Sequence, residues 1–301
     1  MRIAINGSGA LRNLDEFRAT VRRAREDGMA GVWVSQGAGL DVLTALAGVA
    51  DEAGPLELGT AVVPVGSRHP QTLAAQALTA RQALKGRLTL GIGIGHREVS
   101  EGAWGRPWAN PVEAMYDHLT AVTTLLEGRP TRQVSVHLTS LGGLDAEPFP
   151  RIPVLVGALS PHMLALAGRF ADGVVTWCAG SRTVAELVVP TVRHHAEVAG
   201  RPAPRLVVGL PVCVSDRIDE TRRRITHQAG QAADFPVFRR SLAREGAEGL
   251  GDIALVGDED QVAAWIEILG LSGVTDLVAV EAPGDQREAS RTRTLLRDLN
   301  R

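Results

Sequence analysis

LTLGIGIGHREVSEGAWG, residues 88–105, decides how the chain reads. Gly91, Gly93 and Gly95 stand at alternate positions and His96 follows at once. A dinucleotide fingerprint, Gly-x-Gly-x-x-Gly at a strand-to-helix turn, would need glycine at 96 or 98. His96 and Glu98 stand there instead, and Gly102, Gly105, Pro107 and Pro111 delay the next helix. A period of two is that of a strand, whose alternate residues share a face. The glycines therefore leave one face bare, and Leu90, Ile92 and Ile94 fill the other. Each interior glycine weakens a strand by about 0.5–1 kcal/mol relative to alanine. Three on one face imply a need for room, either for a close-approaching flat ligand or for bulky neighbours inside a barrel.

Outward from this strand the same alternation continues. Short apolar runs occur at 2–6, 31–35, 56–63, 87–94, 152–157, 173–177, 205–214 and 275–280. Helical stretches lie between them at 15–27, 41–53, 70–84, 111–127, 161–171, 181–199, 258–270 and 286–299, several opening on Asp, Ser or Pro and closing at Gly. Continuous apolar strands alternating with helices predict a parallel sheet buried on both faces. Eight such units in 301 residues fit a (β/α)8 TIM barrel with insertions, a fold of about 250 residues; a doubly wound open sheet is the runner-up. Residues 1–301 read as a single domain. Two connections are long: 128–152, without a clear element and bearing Pro130, Gly142, Gly143, Pro148 and Pro150, and the Arg-rich, helical 216–254. Long connections in a compact domain are usually lids or interface pieces.

Composition excludes several classes of function. Hydrophobic residues make up 45% and net charge is −2, which disfavours nucleic acid and anionic membrane as partners. No apolar run is long enough to span a membrane. The opening MRIAINGSGA lacks the features of a secretory signal, so the cytoplasm is the expected compartment. Cys178 and Cys213 flank no metal-ligand spacing and read as reduced thiols. The one lysine, Lys85, lies just before a strand, the wrong end of a barrel strand for Schiff-base chemistry. His194-His195 offers no metal geometry, His69 before Pro70 reads as loop support, and Arg222, Arg223 and Arg224 read as a solvated helix face. No metal site is expected.

The run GRLTLGIGIGHREVSEGAWGRP resembles the fourth strand and following loop of the bacterial-luciferase-like flavin and deazaflavin oxidoreductases. The branch that uses the deazaflavin coenzyme F420 is the most similar. The resemblance extends through VWVSQGAGLD (32–41), LGTAVVPVGSRHP (58–70), VLVGALSPHMLALAGRFADGVVTWCAG (154–180) and LVGDEDQVAAWIEILGLSGVTDLVAV (255–280). It implies the barrel already inferred, and commonly a homodimer.

The turn ALSPHM is the best anion site by chemistry. Gly157, Ala158, Leu159 and Ser160 lead to Pro161, where an N-cap and a helix dipole favour a phosphate. The resemblance implies that this turn holds the cofactor phosphate. Many relatives read Gly-Pro-Arg where this chain has Ser160, Pro161 and His162, so one charge contact is missing and His162 is its replacement candidate. Thr176 and Trp177 end the next strand and are expected to line the same site. TAVVP (60–64) reads as plain buried strand from its residues. The resemblance implies a cis peptide at Ala61–Val62 that presses a bulge against the cofactor ring. Gln36 stands where relatives often carry Asp followed by His. It can hydrogen-bond a ring or substrate but cannot transfer a proton. His96 is then the natural proton carrier, with Glu98 and Glu101 as candidates to orient it and Trp104 and Trp108 either walling the pocket or packing the loop.

The expected activity is F420-dependent oxidoreduction, hydride passing between the deazaflavin and a small-molecule substrate. FMN-dependent monooxygenation and a non-catalytic cofactor-binding protein are alternatives on the same fold. A phosphate-binding isomerase or aldolase is disfavoured by the bare glycine face and the lack of a usable lysine. The substrate pocket is expected from loops 97–110, 128–152 and 216–254.

Overall fold

The computed structural model describes residues 1–147, 150–230 and 234–300; Pro148 of the first long connection and residues 231–233 of the second lie outside them. The strands are β1 (Arg2–Asn6), β2 (Gly31–Val34), β3 (Glu57–Thr60), β4 (Val63–Pro64), β5 (Leu88–Gly93), β6 (Thr131–Val134), β7 (Thr139–Gly142), β8 (Val154–Gly157), β9 (Gly173–Trp177), β10 (Arg205–Val214), β11 (Leu255–Gly257) and β12 (Asp276–Glu281). β1, β2, β3, β5, β8, β9, β10 and β12 pair in that order, all parallel, and β12 returns to β1. This closed ring is a (β/α)8 barrel, and its eight strands are the eight apolar runs of the sequence.

The helices are α1 (Leu14–Glu26), α2 (Val42–Gly48), α3 (Ala50–Ala53), α4 (Pro70–Ala83), α5 (Arg97–Gly102), α6 (Pro111–Leu126), α7 (Pro161–Phe170), α8 (Ser181–Thr183), α9 (Val189–Val198), α10 (Ile218–Ala229), α11 (Pro236–Glu245), α12 (Glu259–Ser272) and α13 (Gln286–Leu299). A π-turn over Val184–Val188 joins α8 to α9. Their starts are chemically marked. Asn13 accepts from Asp15 and Glu16 N–H, Asp41 from Thr44 N–H, and Asp258 with Gln261 forms a capping box. His69 caps α4 through Gln71 N–H, and its Nε2 lies 2.8 Å from Thr139 O, the loop support expected of it. No helix among the described residues is long and apolar enough to cross a membrane.

Three expectations change. Residues 128–152 contain an antiparallel hairpin, β6–β7, its Thr131 and Ser140 hydroxyls paired at 2.9 Å; four-residue strands are too short for periodicity to expose. A helix, α5, does open directly after His96, because Arg97–Gly102 carries helix-compatible residues with Glu98 in the first turn. Finally, Arg224 donates to Glu288 Oε2 and Ala282 O, so part of the arginine run turns inward.

The barrel interior is layered. At the N-terminal end Arg205 makes bidentate pairs with Asp276, at 2.8 and 2.6 Å, and with Glu57, at 2.6 and 3.3 Å. Arg2 joins Glu57 from β1, and the guanidinium of Arg205 lies 5.3 Å from the Trp33 ring centroid, a cation–π contact. Above this, Ala4, Trp33, Leu155, Val175, Val207 and Val278 fill the axis, with Ala61 and Val62 packed on them. That plug leaves the C-terminal mouth for chemistry, as in barrel enzymes generally.

Candidate functional site

The mouth is built around a break in β3. The pairings Leu58↔Leu88 and Gly59↔Thr89 give way to Val63↔Ile92 and Pro64↔Gly93, so the β3–β4 side carries one extra residue, a bulge. The Ala61–Val62 peptide inside it is cis. Thr60 bridges the gap in the ladder: its Oγ1 accepts from Gly91 N–H at 2.8 Å and donates to Gly91 O at 2.7 Å. Ala61 N–H donates to Val34 O at 2.8 Å, Ser35 Oγ donates to Ala61 O at 2.5 Å, and Gln36 N–H donates to Val62 O at 3.1 Å. Both faces of the cis bond are thus tied to the end of β2.

The bulge explains the alternating glycines. A Cβ on Gly91 would lie 2.0 Å from Thr60 O, and one on Gly93 2.6 Å from Val62 Cγ2. One on Gly157, at the end of β8, would lie 3.2 Å from Val62 Cγ1. Gly91, Gly93 and Gly157 are a socket for the bulge. The bare face does point inward, as its period required, since Leu90 and Ile92 lie in the outer core. The room beside Gly91 and Gly93 is taken by Thr60 and Val62, however, so a flat ligand would meet the bulge before the glycine backbone. Gly95, at φ +85°, turns the chain out of the strand.

His96 follows as the N-cap of α5. Its imidazole stacks on Phe235, centroids 3.8 Å apart and planes within 5°, and meets Phe238 at 5.3 Å and 65°. The Arg-rich second connection therefore reaches over the mouth. Burial pushes the His96 pKa down and the nearby charge of Glu98 pulls it up; the net is below a free imidazole. Glu101 is engaged elsewhere, accepting from Trp108 N–H at 3.3 Å. Trp104 lies over Gly66 and Gly95 and packs the loop.

Gln36 has a different place from the one expected. Its Nε2 donates to Gly37 O and Leu40 O, and its Oε1 accepts from Val42 N–H and from Arg68 Nη2. Two donors and two acceptor positions are all that an amide has. Gln36 is saturated within its own loop and has no group left for a ring or substrate. Arg68, also paired with Asp41, is a partner that the sequence did not single out.

Two helices begin at the mouth beyond β8 and β9. Ser160 caps α7 by accepting from Met163 N–H at 3.4 Å, with Pro161 in the first turn. Ala158 N–H donates to Val175 O, Leu159 is half-buried and His162 is exposed. The helix entered at Ser181 is already met by a carboxylate: Glu245 Oε1 accepts from Thr183 N–H at 2.6 Å. A Cβ on Gly180 would lie 2.6 Å from that carboxyl carbon. The α7 start is therefore the one open to an external anion. Thr176 shares the outward face of β9 with Val174, and its buried hydroxyl has no partner among the described residues; it faces the helix layer and not the mouth. Trp177 alternates with inward Val175, its ring lying over Gly209, where a Cβ would come within 3.1 Å of it, and it also packs against the outer core. Cys178 and Cys213 are buried free thiols whose pKa values burial pushes up to about 12 and about 11, which makes them inert as nucleophiles.

Residues 3–276 match the family described as luciferase-like monooxygenase. A 5,10-methylenetetrahydromethanopterin reductase from Methanolobus tindarius is 25% identical over 206 residues, 68% of this chain; the match spans 63% of that relative's length. Among solved structures, an F420-dependent secondary alcohol dehydrogenase in complex with an F420–acetone adduct superposes with a TM-score of 0.84 at 16% identity, over 100% of this chain and 99% of that one. The oxygenating constituent of 3,6-diketocamphane monooxygenase from Pseudomonas putida, in complex with FMN, superposes with a TM-score of 0.76 at 18% identity, over 98% and 96%.

Proposed function

Because the chain belongs to the luciferase-like monooxygenase family, we propose that it is an oxidoreductase that binds coenzyme F420 at the C-terminal mouth and passes a hydride between the deazaflavin and a small organic substrate. The observation that carries this reading is the Ala61–Val62 bulge in β3–β4 seated in the Gly91, Gly93 and Gly157 socket. The residues present fit such a group. The bulge gives a flat ring an apolar surface whose position is fixed by Ser35, Gln36 N–H and Thr60. In the Gly157–Ser160 turn Ala158 N–H is already spent on Val175 O, and the open start of α7 offers the N–H groups of Leu159 and Ser160 and a helix dipole to a phosphate. When bound, the deazaflavin supplies the hydride acceptor or donor.

The chain's own part is to orient, to exclude water and to move a proton. His96 does the last at an imidazole nitrogen. Because its pKa lies below the ordinary value, the ring is neutral near pH 7 and acts as a proton acceptor. That favours the direction in which the substrate loses a proton with its hydride, as an alcohol does on oxidation to a ketone. Likeness to the alcohol dehydrogenase over the whole chain supports the same direction.

FMN is the second reading, favoured by the likeness to the FMN-bound monooxygenase. Parallel fluorescence titrations separate them. F420 is expected to bind tightly and FMN weakly, and the reverse overturns the proposal. His96→Ala is expected to lower turnover at least about tenfold with cofactor affinity unchanged; wild-type turnover would refute the proton role. Failure of every substrate to oxidise or reduce bound cofactor in a single turnover would leave a carrier.

A further inference from the structure

α11 presents one face to the barrel, and that face touches both sides of the mouth. Near its start, Phe235 and Phe238 enclose the imidazole of His96. Near its end, Ser241 Oγ donates to Cys178 O at 2.6 Å, Leu242 is buried, and Glu245 accepts from Thr183 N–H. Positions 235, 238, 242 and 245 follow the three- and four-residue spacing of one helix face. The far contacts fix the helix to the connection after β9, so the aromatic pair is held relative to β5 by something other than His96 itself.

We propose that Phe235 is the positioning residue for His96: its ring covers one face of the imidazole, fixes the plane and keeps that face dry, while the in-plane nitrogens stay free for a proton. The functional meaning rests on the reading of His96 as the proton carrier; the positioning does not. Stacking at 3.8 Å and 5° leaves no room for water between the rings. Among the described residues, the charge that bears on the imidazole is that of Glu98, from the same loop. On α11 the flanking Asp234 and Arg239 are exposed and pair with each other at 3.0 Å, and neither phenylalanine titrates. Exclusion of water disfavours the imidazolium and outweighs the attraction of a ring face for a cation, since the net effect of the surroundings is a lowered pKa; opening that face to water reverses it.

Proton–carbon NMR of the histidine Cε1–H groups, on the chain without cofactor, tests this. The chain has 8 histidines, and the His96 signal is the one lost in His96→Gln. In the unsubstituted protein it is expected to be displaced upfield by the Phe235 ring current, to show a cross-peak to the Phe235 ring protons, and to titrate below about 6.5. Phe235→Ala, which opens the face to water, should abolish the displacement and raise the midpoint toward that value, and Phe235→Tyr should keep both. Absence of the displacement and cross-peak in the unsubstituted protein overturns the proposal without any variant having to fold. So does a Phe235→Ala midpoint that does not move. The pH profile of turnover in the loaded enzyme then separates the two readings. If its limb follows the NMR midpoints through the series, both stand. If the NMR midpoint moves and the limb does not, the positioning stands and the proton role of His96 falls.

Discussion

The two ends of the barrel solve opposite problems with the same strands. At the N-terminal end both axial carboxylates are matched: Arg205 spans Asp276 and Glu57, Thr89 donates to Glu57, and Arg2 closes the group. At the C-terminal mouth the ladder is interrupted, the chain bulges inward at Ala61–Val62, and glycines on two neighbouring strands make way for it. One end is saturated to hold the ring of strands closed. The other gives up regular pairing to fix an apolar step across the axis. Stability and function thus lie on different layers, which substitutions can separate.

Arg205→Met gives the largest expected effect. It leaves Asp276, 2% exposed, and Glu57 without their bidentate partner, with the more exposed Arg2 still beside them, and removing one partner of a buried ion pair costs about 3–5 kcal/mol. Urea unfolding should show that loss, while cofactor affinity of the folded fraction stays unchanged. A parallel loss of affinity would mean the two ends are coupled. Acid should act on the same layer. Burial would raise the Glu57 pKa, but the hydrogen bond and charge of Arg205, with Thr89 and Arg2, hold it below the ordinary value. Its contribution is therefore complete above the unfolded carboxylate pKa of about 4.3 and is lost as pH falls through the lower folded value. Arg205→Met should flatten that part of the stability–pH curve.

Thr60→Val moves the test to the mouth. Valine keeps the shape and removes the hydroxyl that serves both Gly91 N–H and Gly91 O. Leaving buried backbone groups unpaired costs about 1–3 kcal/mol, less than Arg205→Met. Here the cofactor titration should weaken as well, because the bulge loses the group that bridges it to β5. Unchanged affinity would detach the bulge from the ring site.

These layers were unequally legible in the sequence. The barrel strands and their helices followed from period two, apolar continuity and capping residues such as Asp41, Ser160 and Asp258, because backbone geometry imposes those patterns. The inward glycine face was legible for the same reason. Its occupant was not, since Val62 belongs to the bulge between β3 and β4 and a strand's own period says nothing about what its neighbour inserts. Gln36 shows the limit for polar groups: its type permits a ring contact, but the fold spends all four of its hydrogen-bonding positions within its own loop and on Arg68. Phe235 and Phe238 were passed over because three- to four-residue spacing marks a helix face without saying what that face covers.

The smallest expected difference lies within the mouth, between its two helix starts. Ser160→Ala removes the cap of α7, worth about 0.5–2 kcal/mol, and the low end applies because the bond to Met163 N–H is long, at 3.4 Å. Glu245→Gln keeps its shape and removes a charge at the start of the helix beyond β9, worth about 0.3–1 kcal/mol. Their effects on stability should be nearly alike, so stability cannot rank them. Affinity can. If α7 takes the phosphate, Ser160→Ala weakens F420 binding and Glu245→Gln leaves it unchanged, because the Glu245 carboxylate already fills the second start. Measured against a phosphate-free analogue of the same ring, the Ser160→Ala loss should vanish. A loss that persists there would assign Ser160 to the ring and not to the phosphate. Tighter F420 binding by Glu245→Gln would instead show that the protein's own carboxylate competes with the cofactor for the second helix, and the phosphate would move from β8 to β9.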